Sequence, residues 1–186
     1  MDISPDPASL YSLQNANLNW LNILAELIDN SFDASASRVV IQFGPGKRVA
    51  IEDDGVGCKE PEVMLRLGGR LQHSGTRLGR YGVGLKDAAG WLWGRTKITT
   101  TCGGVKRLFG VNWDGLAKQT DWTIDDPVCS ENGSMKSGTQ VECSHITKAL
   151  PKDYGRLIAE LGFTFTPGLL DGRQIQFRFP KRKPTT

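Results

Sequence analysis

The sequence predicts an α+β domain whose sheet is mixed and mostly antiparallel, and three observations carry that expectation. Short β-branched runs arrive in pairs around turn residues, as in Arg38–Phe43 and Arg48–Glu52 on either side of Gly44-Pro45-Gly46. Segments with apolar residues at helical spacing stand between groups of strands, not after every strand, so the chain does not follow strict βαβ alternation. A length of 186 residues suits one domain able to bury a real core.

Residues 1–16 carry Pro5 and Pro7 and read as an irregular arm with room for one helical turn. The domain proper is expected over 17–180. Its first helix spans Asn17–Ala34, where Leu18, Leu21, Leu24, Leu27 and Ile28 recur at helical spacing. The hairpin follows, and then a short helix over Glu60–Leu67 that starts near Pro61, since proline is tolerated in a first turn. Gly68 to Gly84 is glycine-rich and basic, lacks periodicity, and reads as a long loop. Val83–Trp93 reads as a helix, and Lys97–Thr101 and Val105–Asn112 as paired strands around Gly103-Gly104. Strands at Trp122–Ile124 and Thr139–Ser144, a helix at Lys152–Leu161 and a strand at Gln174–Phe179 complete the domain. The basic segment 181–186 reads as a frayed tail.

Composition excludes several classes of function. Lys and Arg number 23 against 20 Asp and Glu, a net of +3, so no strong field marks nucleic acid as the primary ligand. No apolar run is long enough for a transmembrane helix or an export signal, and no membrane partner is expected. Cys58, Cys102, Cys129 and Cys143 lack CxxC spacing, so they read as reduced thiols and not as zinc ligands. The expected compartment is the cytoplasm, or the nucleus in a eukaryote. Glycine is abundant, 22 in all, and ten of these lie between Gly55 and Gly94. Such a local excess points to a site or a mobile loop.

Three patterns carry chemistry. Glu26, Asp29, Asn30 and Asp33 fall at i, i+3, i+4 and i+7 and so share one face of the first helix. No Lys or Arg lies between Asn17 and Ser37 to pair with these carboxylates. Oxygen donors on one rigid face suit a hard cation such as magnesium, and a carboxylate there can take a proton from an attacking water. Asp53-Asp54-Gly55-Val56-Gly57 follows directly on a strand. It is either a simple turn or a place where Asp53 accepts a hydrogen bond from an exocyclic amine, with Gly55 and Gly57 admitting a flat base. Gly79-Arg80-Tyr81-Gly82-Val83-Gly84-Leu85-Lys86 runs from loop into helix, and is neither a Walker A loop nor a dinucleotide fingerprint. A glycine-lined helix N-terminus offers free N–H groups to an anion, which also makes sense of Lys86 in the first turn. The preceding stretch, with Arg70, Arg77 and Arg80, has the make-up of a basic lid.

In order, ELIDNSFDA (Glu26–Ala34), DDGVG (Asp53–Gly57), GRYGVGLKDA (Gly79–Ala88) and SGTQVE (Ser137–Glu142) resemble the N, G1, G2 and G3 boxes of the GHKL superfamily. That group includes gyrase-type topoisomerases, ninety-kilodalton heat-shock chaperones, sensor histidine kinases, MutL and Morc proteins. The chain looks closest to the chaperone and Morc branches. The resemblance implies a Bergerat-type fold, a two-layer α/β sandwich with helices on one face, and it implies ATP and Mg2+ as ligands. Glu26 then matches the general base, Asn30 the magnesium ligand and Asp53 the aspartate that reads the adenine amine. Ala34 would line the base pocket, Gly55 and Gly57 would border it, and Thr139 would support Asp53 and a bridging water. Gly79, Tyr81, Gly82, Val83, Gly84 and Leu85 would belong to the lid around the phosphates, with Lys86 as a phosphate contact. Asp33 matches an architectural acidic position.

Implied partners are ATP, a second copy of the chain in an ATP-dependent homodimer, and a protein partner or client. Hydrolysing members supply a catalytic Lys or Arg from a following transducer domain. None is evident after Phe179, so ATP binding with slow turnover is the expectation. Two rival readings remain: a non-hydrolysing nucleotide switch, and a histidine-kinase-type phosphotransfer domain. Glu26 and the lack of a phospho-acceptor helix count against the second.

Overall fold

Val39, Ile41 and Phe43 alternate with Arg38, Val40 and Gln42 along the chain, and a strand with that pattern must present two different faces. The computed structural model, which describes residues 6–60, 64, 84–131 and 136–180, builds this pattern into a seven-stranded sheet. The strands are β1 (Arg38–Gly44), β2 (Arg48–Asp53), β3 (Arg95–Cys102), β4 (Val105–Asn112), β5 (Val128–Glu131), β6 (Gly138–Ser144) and β7 (Gln174–Arg178). Their spatial order is β5-β4-β3-β6-β2-β1-β7, antiparallel throughout except for the parallel pair β1–β7. Inward residues of successive strands, such as Ile41, Ile51, Val141, Ile98 and Phe109, lie in one rung and are all buried. They form the core with the helices, so the fold is the α+β sandwich with a mixed, mostly antiparallel sheet that the sequence predicts.

The helix layer is led by α2 (Trp20–Asp33), which follows the single turn α1 (Tyr11–Gln14). α2 begins later than the periodicity suggests because Asn19 caps it, exchanging side-chain to backbone hydrogen bonds with Asn22. It buries Ile23, Leu24, Leu27, Ile28 and Phe32, each worth about 2 kcal/mol of transfer free energy. Leu18 and Leu21, expected on the same stripe, pack only at its margin. α3 (Gly84–Leu92) lies beside α2, and α5 (Tyr154–Thr164), capped by Asp153, packs against it farther on.

Tertiary packing changes several expectations. From Asp6 onward the N-terminal segment is ordered: a 3-10 turn over Pro7–Leu10 leads into α1. Leu10 is buried, Tyr11 stacks on Trp93 at 5.2 Å, and the Lys148 ammonium donates to the Gln14 carbonyl at 2.6 Å. The expected strand at Trp122–Ile124 is irregular chain, with both residues resting on the core. The strand in that region is β5 instead. Its residues are all exposed at the sheet edge, so no hydrophobic alternation announces it. Two short helices stand where the sequence carries no helical periodicity, α4 (Trp113–Leu116), capped by Asn112, and α6 (Thr166–Leu170), with Pro167 in its first turn. The expected helix at Glu60–Leu67, the loop from Gly68 and the tail 181–186 fall mostly or wholly outside the described residues.

No helix among the described residues is long and apolar enough to cross a membrane. Cys58 and Cys143 are buried, and burial pushes the Cys143 thiol up to about 11, which keeps it protonated and inert.

Candidate functional site

Two adjacent aspartates at the end of β2 do different work. Asp54 turns outward and closes the start of β1: it accepts from the Ser37 and Arg38 N–H groups, both at 2.8 Å, and from the Ser37 hydroxyl at 2.7 Å. Desolvation opposes its ionisation, but those bonds prevail and hold its carboxyl below the ordinary range. Asp53 turns inward. Its Oδ1 accepts from Gly55 N–H at 2.9 Å and Thr139 N–H at 3.2 Å, and the Ser31 hydroxyl of α2 lies 3.2 Å from Oδ2. Burial pushes this carboxyl up, and the same three donors pull against that shift. Asp53 is thus held in one orientation from the sheet, the Asp-Gly turn and α2 together.

The surrounding glycines are required chiefly by protein contacts. At Gly55 a Cβ would lie 2.6 Å from the Ala34 carbonyl, the group that receives the Val56 N–H at 2.9 Å. Gly57 has φ +71 and turns its bare face onto the Thr101 carbonyl, and Gly138, at φ +153, sits over the Asp53 carbonyl. On the side where a Cβ would stand, Gly55 meets Ala34 and Gly57 meets β3. Gly57→Ala should therefore cost about 2 kcal/mol, from left-handed strain plus overpacking, measured by denaturant unfolding without nucleotide.

Behind Asp53, Thr139 pairs across the ladder with Thr100, and their hydroxyls are 3.1 Å apart. Thr100 is fully buried and also accepts the Cys58 N–H at 2.8 Å. Thr100, Ser31, Gly138 and Asp54 were not singled out from the sequence. Thr99, Thr100 and Thr101 are alike on paper, and only the strand phase set by Ile98 tells which one points inward.

The acidic stripe lies along α2 as its spacing requires, with Glu26, Asn30 and Asp33 exposed and Asp29 partly covered. At its N-terminal end the Glu26 carboxylate rests against Gly84, the first residue of α3, where any Cβ would collide with it. Asp87 lies one turn further along α3, a position to which the resemblance assigns no role. Burial and then the Asp87 charge push the Glu26 carboxyl up. Burial raises Asp87 too, opposed by Lys86. Lys86 is itself buried, and burial lowers its proton affinity against the pull of Asp87. Leu85 points into the core. Gly79, Tyr81, Gly82 and Val83 lie outside the described residues.

Asp29 is driven up to about 6 by burial and by the charges of Glu26 and Asp33. A carboxyl raised on folding stabilises the native state most below about pH 4, where it is protonated in both states, and that benefit is lost as pH rises through about 6. Asp29→Asn should therefore leave stability unchanged at pH 4. At pH 8 in chelator it should add on the order of 1 kcal/mol, after allowance for solvent screening. Paired melting curves at the two pH values check this.

Residues 19–144 match the family model described as Histidine kinase-, DNA gyrase B-, and HSP90-like ATPase. The chain belongs to this family. Among curated proteins, it is similar to ATPase morc-1 of Caenorhabditis elegans, 32% identical over 96 residues, a stretch that is 50% of this chain and 11% of that protein. The chain thus matches only about a tenth of that relative's length. In this GHKL ATPase domain, the matched span takes in the α2 stripe, Asp53, the start of α3 and Thr139, and so covers both ends of the site described above.

Proposed function

We propose that this GHKL domain binds ATP with magnesium and hydrolyses it slowly. The observation that carries the reading is the convergence on α2: through Ser31 it meets Asp53 and the sheet, and through Glu26 it meets the N-terminus of α3. Five residues of helix separate the two points, about 7.5 Å along the axis. Adenine would lie by Asp53, whose carboxylate accepts from the exocyclic amine, with Ala34, Gly57 and Thr139 at the pocket edge. The phosphates would lie toward Gly84, the α3 N–H groups and Lys86, where a helix N-terminus favours negative charge.

The donors on α2 fit magnesium, since an Asn30 amide oxygen shares the helix face with Glu26, Asp29 and Asp33, where burial first and then the neighbouring carboxylate charges hold Asp29 at about 6. Asn30 would hold the ion, which when bound supplies neutralising charge to the triphosphate. Glu26 takes a proton from a water as its oxygen attacks the γ-phosphorus. The bond to the β-phosphate bridging oxygen breaks, and ADP and phosphate leave. By the family resemblance, Gly79, Tyr81, Gly82 and Val83 would contact the phosphates, and nucleotide state would be coupled to homodimerisation or to contact with a protein partner.

A phosphate-release assay on the purified chain with Mg-ATP tests the reading. Slow release that disappears with Glu26→Ala supports it, and tight binding without release selects the non-hydrolysing switch. Sedimentation with a non-hydrolysable ATP analogue tests the dimer, and an unshifted monomer removes that part.

A further inference from the structure

The first turn of α3 carries Gly84, packed against Glu26, together with Lys86 and Asp87. The helix is only nine residues long, so whatever bears on its far end also sets where its first turn lies. Among the described residues, the helices packed on it are α2 and α1. α1 belongs to the N-terminal segment and meets the last turn of α3. A Cβ on Gly90 would lie 2.8 Å from the Leu13 Cδ1 and 3.0 Å from the Leu13 Cβ. Glycine inside a helix weakens it relative to alanine, and this one makes room for Leu13. Trp93, just past the helix, has φ +54, a left-handed conformation that bulky residues rarely adopt. Its ring is buried and stacked on Tyr11. Lys148 ties the same corner together: its ammonium lies 5.0 Å from the centre of the Trp91 ring and donates to the Gln14 carbonyl. Gly90 stands about 9 Å along the axis from Gly84, so these contacts lie apart from the proposed phosphates.

We infer that Leu13 and Tyr11 are positioning residues for the nucleotide site. Acting through Gly90 and Trp93, they hold α3 so that its first N–H groups and Lys86 meet the phosphates while Gly84 stays against Glu26. The inference rests on the ATP reading above and adds to it residues that never touch the nucleotide. The physical reason is preorganisation. A helix end serves an anion best when its N–H groups are already aimed at the place the anion takes. A general base likewise tolerates little error in where the attacked phosphorus lies. Adenosine, by contrast, needs only Asp53 and its neighbours, which are fixed by the sheet, the Asp-Gly turn and α2. The N-terminal segment therefore acts on the triphosphate and leaves the nucleoside alone.

The test is calorimetric titration of the 186-residue chain with adenosine and with a non-hydrolysable ATP analogue plus Mg2+, beside phosphate release at saturating ATP. The Tyr11→Ala, Leu13→Ala double variant should bind the analogue about fivefold more weakly, lower kcat about tenfold or more, and keep adenosine affinity within about twofold. Gly90→Ala approaches the same contact from the other side. Alanine strengthens the helix itself, but its Cβ displaces Leu13, so this variant should show the same selective loss. Adding Leu13→Ala to Gly90→Ala should do little further harm, since both changes break one contact. Leu13→Met, which can keep the contact, should retain most of the analogue affinity. A circular dichroism melt checks that each variant is folded. Unchanged analogue affinity and kcat in both the double variant and Gly90→Ala overturn the inference. So does an equal loss of adenosine and analogue affinity, which marks a merely structural role. A wild-type chain that binds neither ligand overturns the ATP reading and this inference with it; one that binds both, with variants that match it, overturns this inference alone.

Discussion

Asp53→Asn is expected to weaken ATP binding at least about a hundredfold while leaving a folded protein. The carboxylate is the acceptor for the adenine amine under the proposed function, and an asparagine can turn its NH2 group toward that amine, donor against donor. Losing a charge-assisted hydrogen bond and stranding a buried donor together account for about 3 kcal/mol. The protein side of the network makes the flip hard to avoid. Oδ1 already serves the Gly55 and Thr139 N–H groups, so the amide oxygen must stay there and the nitrogen is left at the Oδ2 position near Ser31. Calorimetric titration with ATP measures the effect, and a melting curve separates it from unfolding. Normal binding by the variant would remove adenine recognition from Asp53.

Glu26→Ala is expected to keep ATP binding within a few-fold and to lower turnover by about 10²–10⁴, the usual worth of a positioned general base. The pH dependence gives a sharper check. A base works when ionised, so turnover should climb as pH rises through the Glu26 pKa. Burial and the Asp87 charge hold that pKa above the ordinary glutamate value, and the acid limb of the profile should stand correspondingly high. Asp87→Asn removes the like charge and should move the limb to lower pH. A limb that stays in place would show that Asp87 does not act on the base, and a Glu26→Ala enzyme with full turnover would remove Glu26 from the reaction.

Much of the molecule was legible where a local signal and the tertiary environment agree. The α2 helix, the β1–β2 hairpin and the β3–β4 pair have both the right periodicity and the right turn residues, and each is present within a few residues of its expected bounds. Legibility failed where local signal was absent or misleading. β5 has four exposed residues and pairs with β4 at the sheet edge, while Trp122 and Ile124 look strand-like but are occupied in packing. The arm from Asp6 has two prolines nearby and no amphipathic stripe, yet Leu10 and Tyr11 find a hydrophobic seat that α3 and Trp93 provide.

The candidate site divides in the same way. The residue types, their spacing on α2 and the Asp-Gly and glycine-loop motifs were present in the order of residues, because a helix or turn maps sequence spacing directly onto space. Membership of the GHKL family follows from that order. What only the tertiary structure decided is how those pieces are held. It separated Asp53 from Asp54, picked Thr100 out of three threonines, set Asp87 near Glu26, and seated the Cβ sides of Gly55 and Gly57 on Ala34 and β3. These depend on contacts between residues far apart in the chain, where strand phase and side-chain burial, not local spacing, determine which atoms meet.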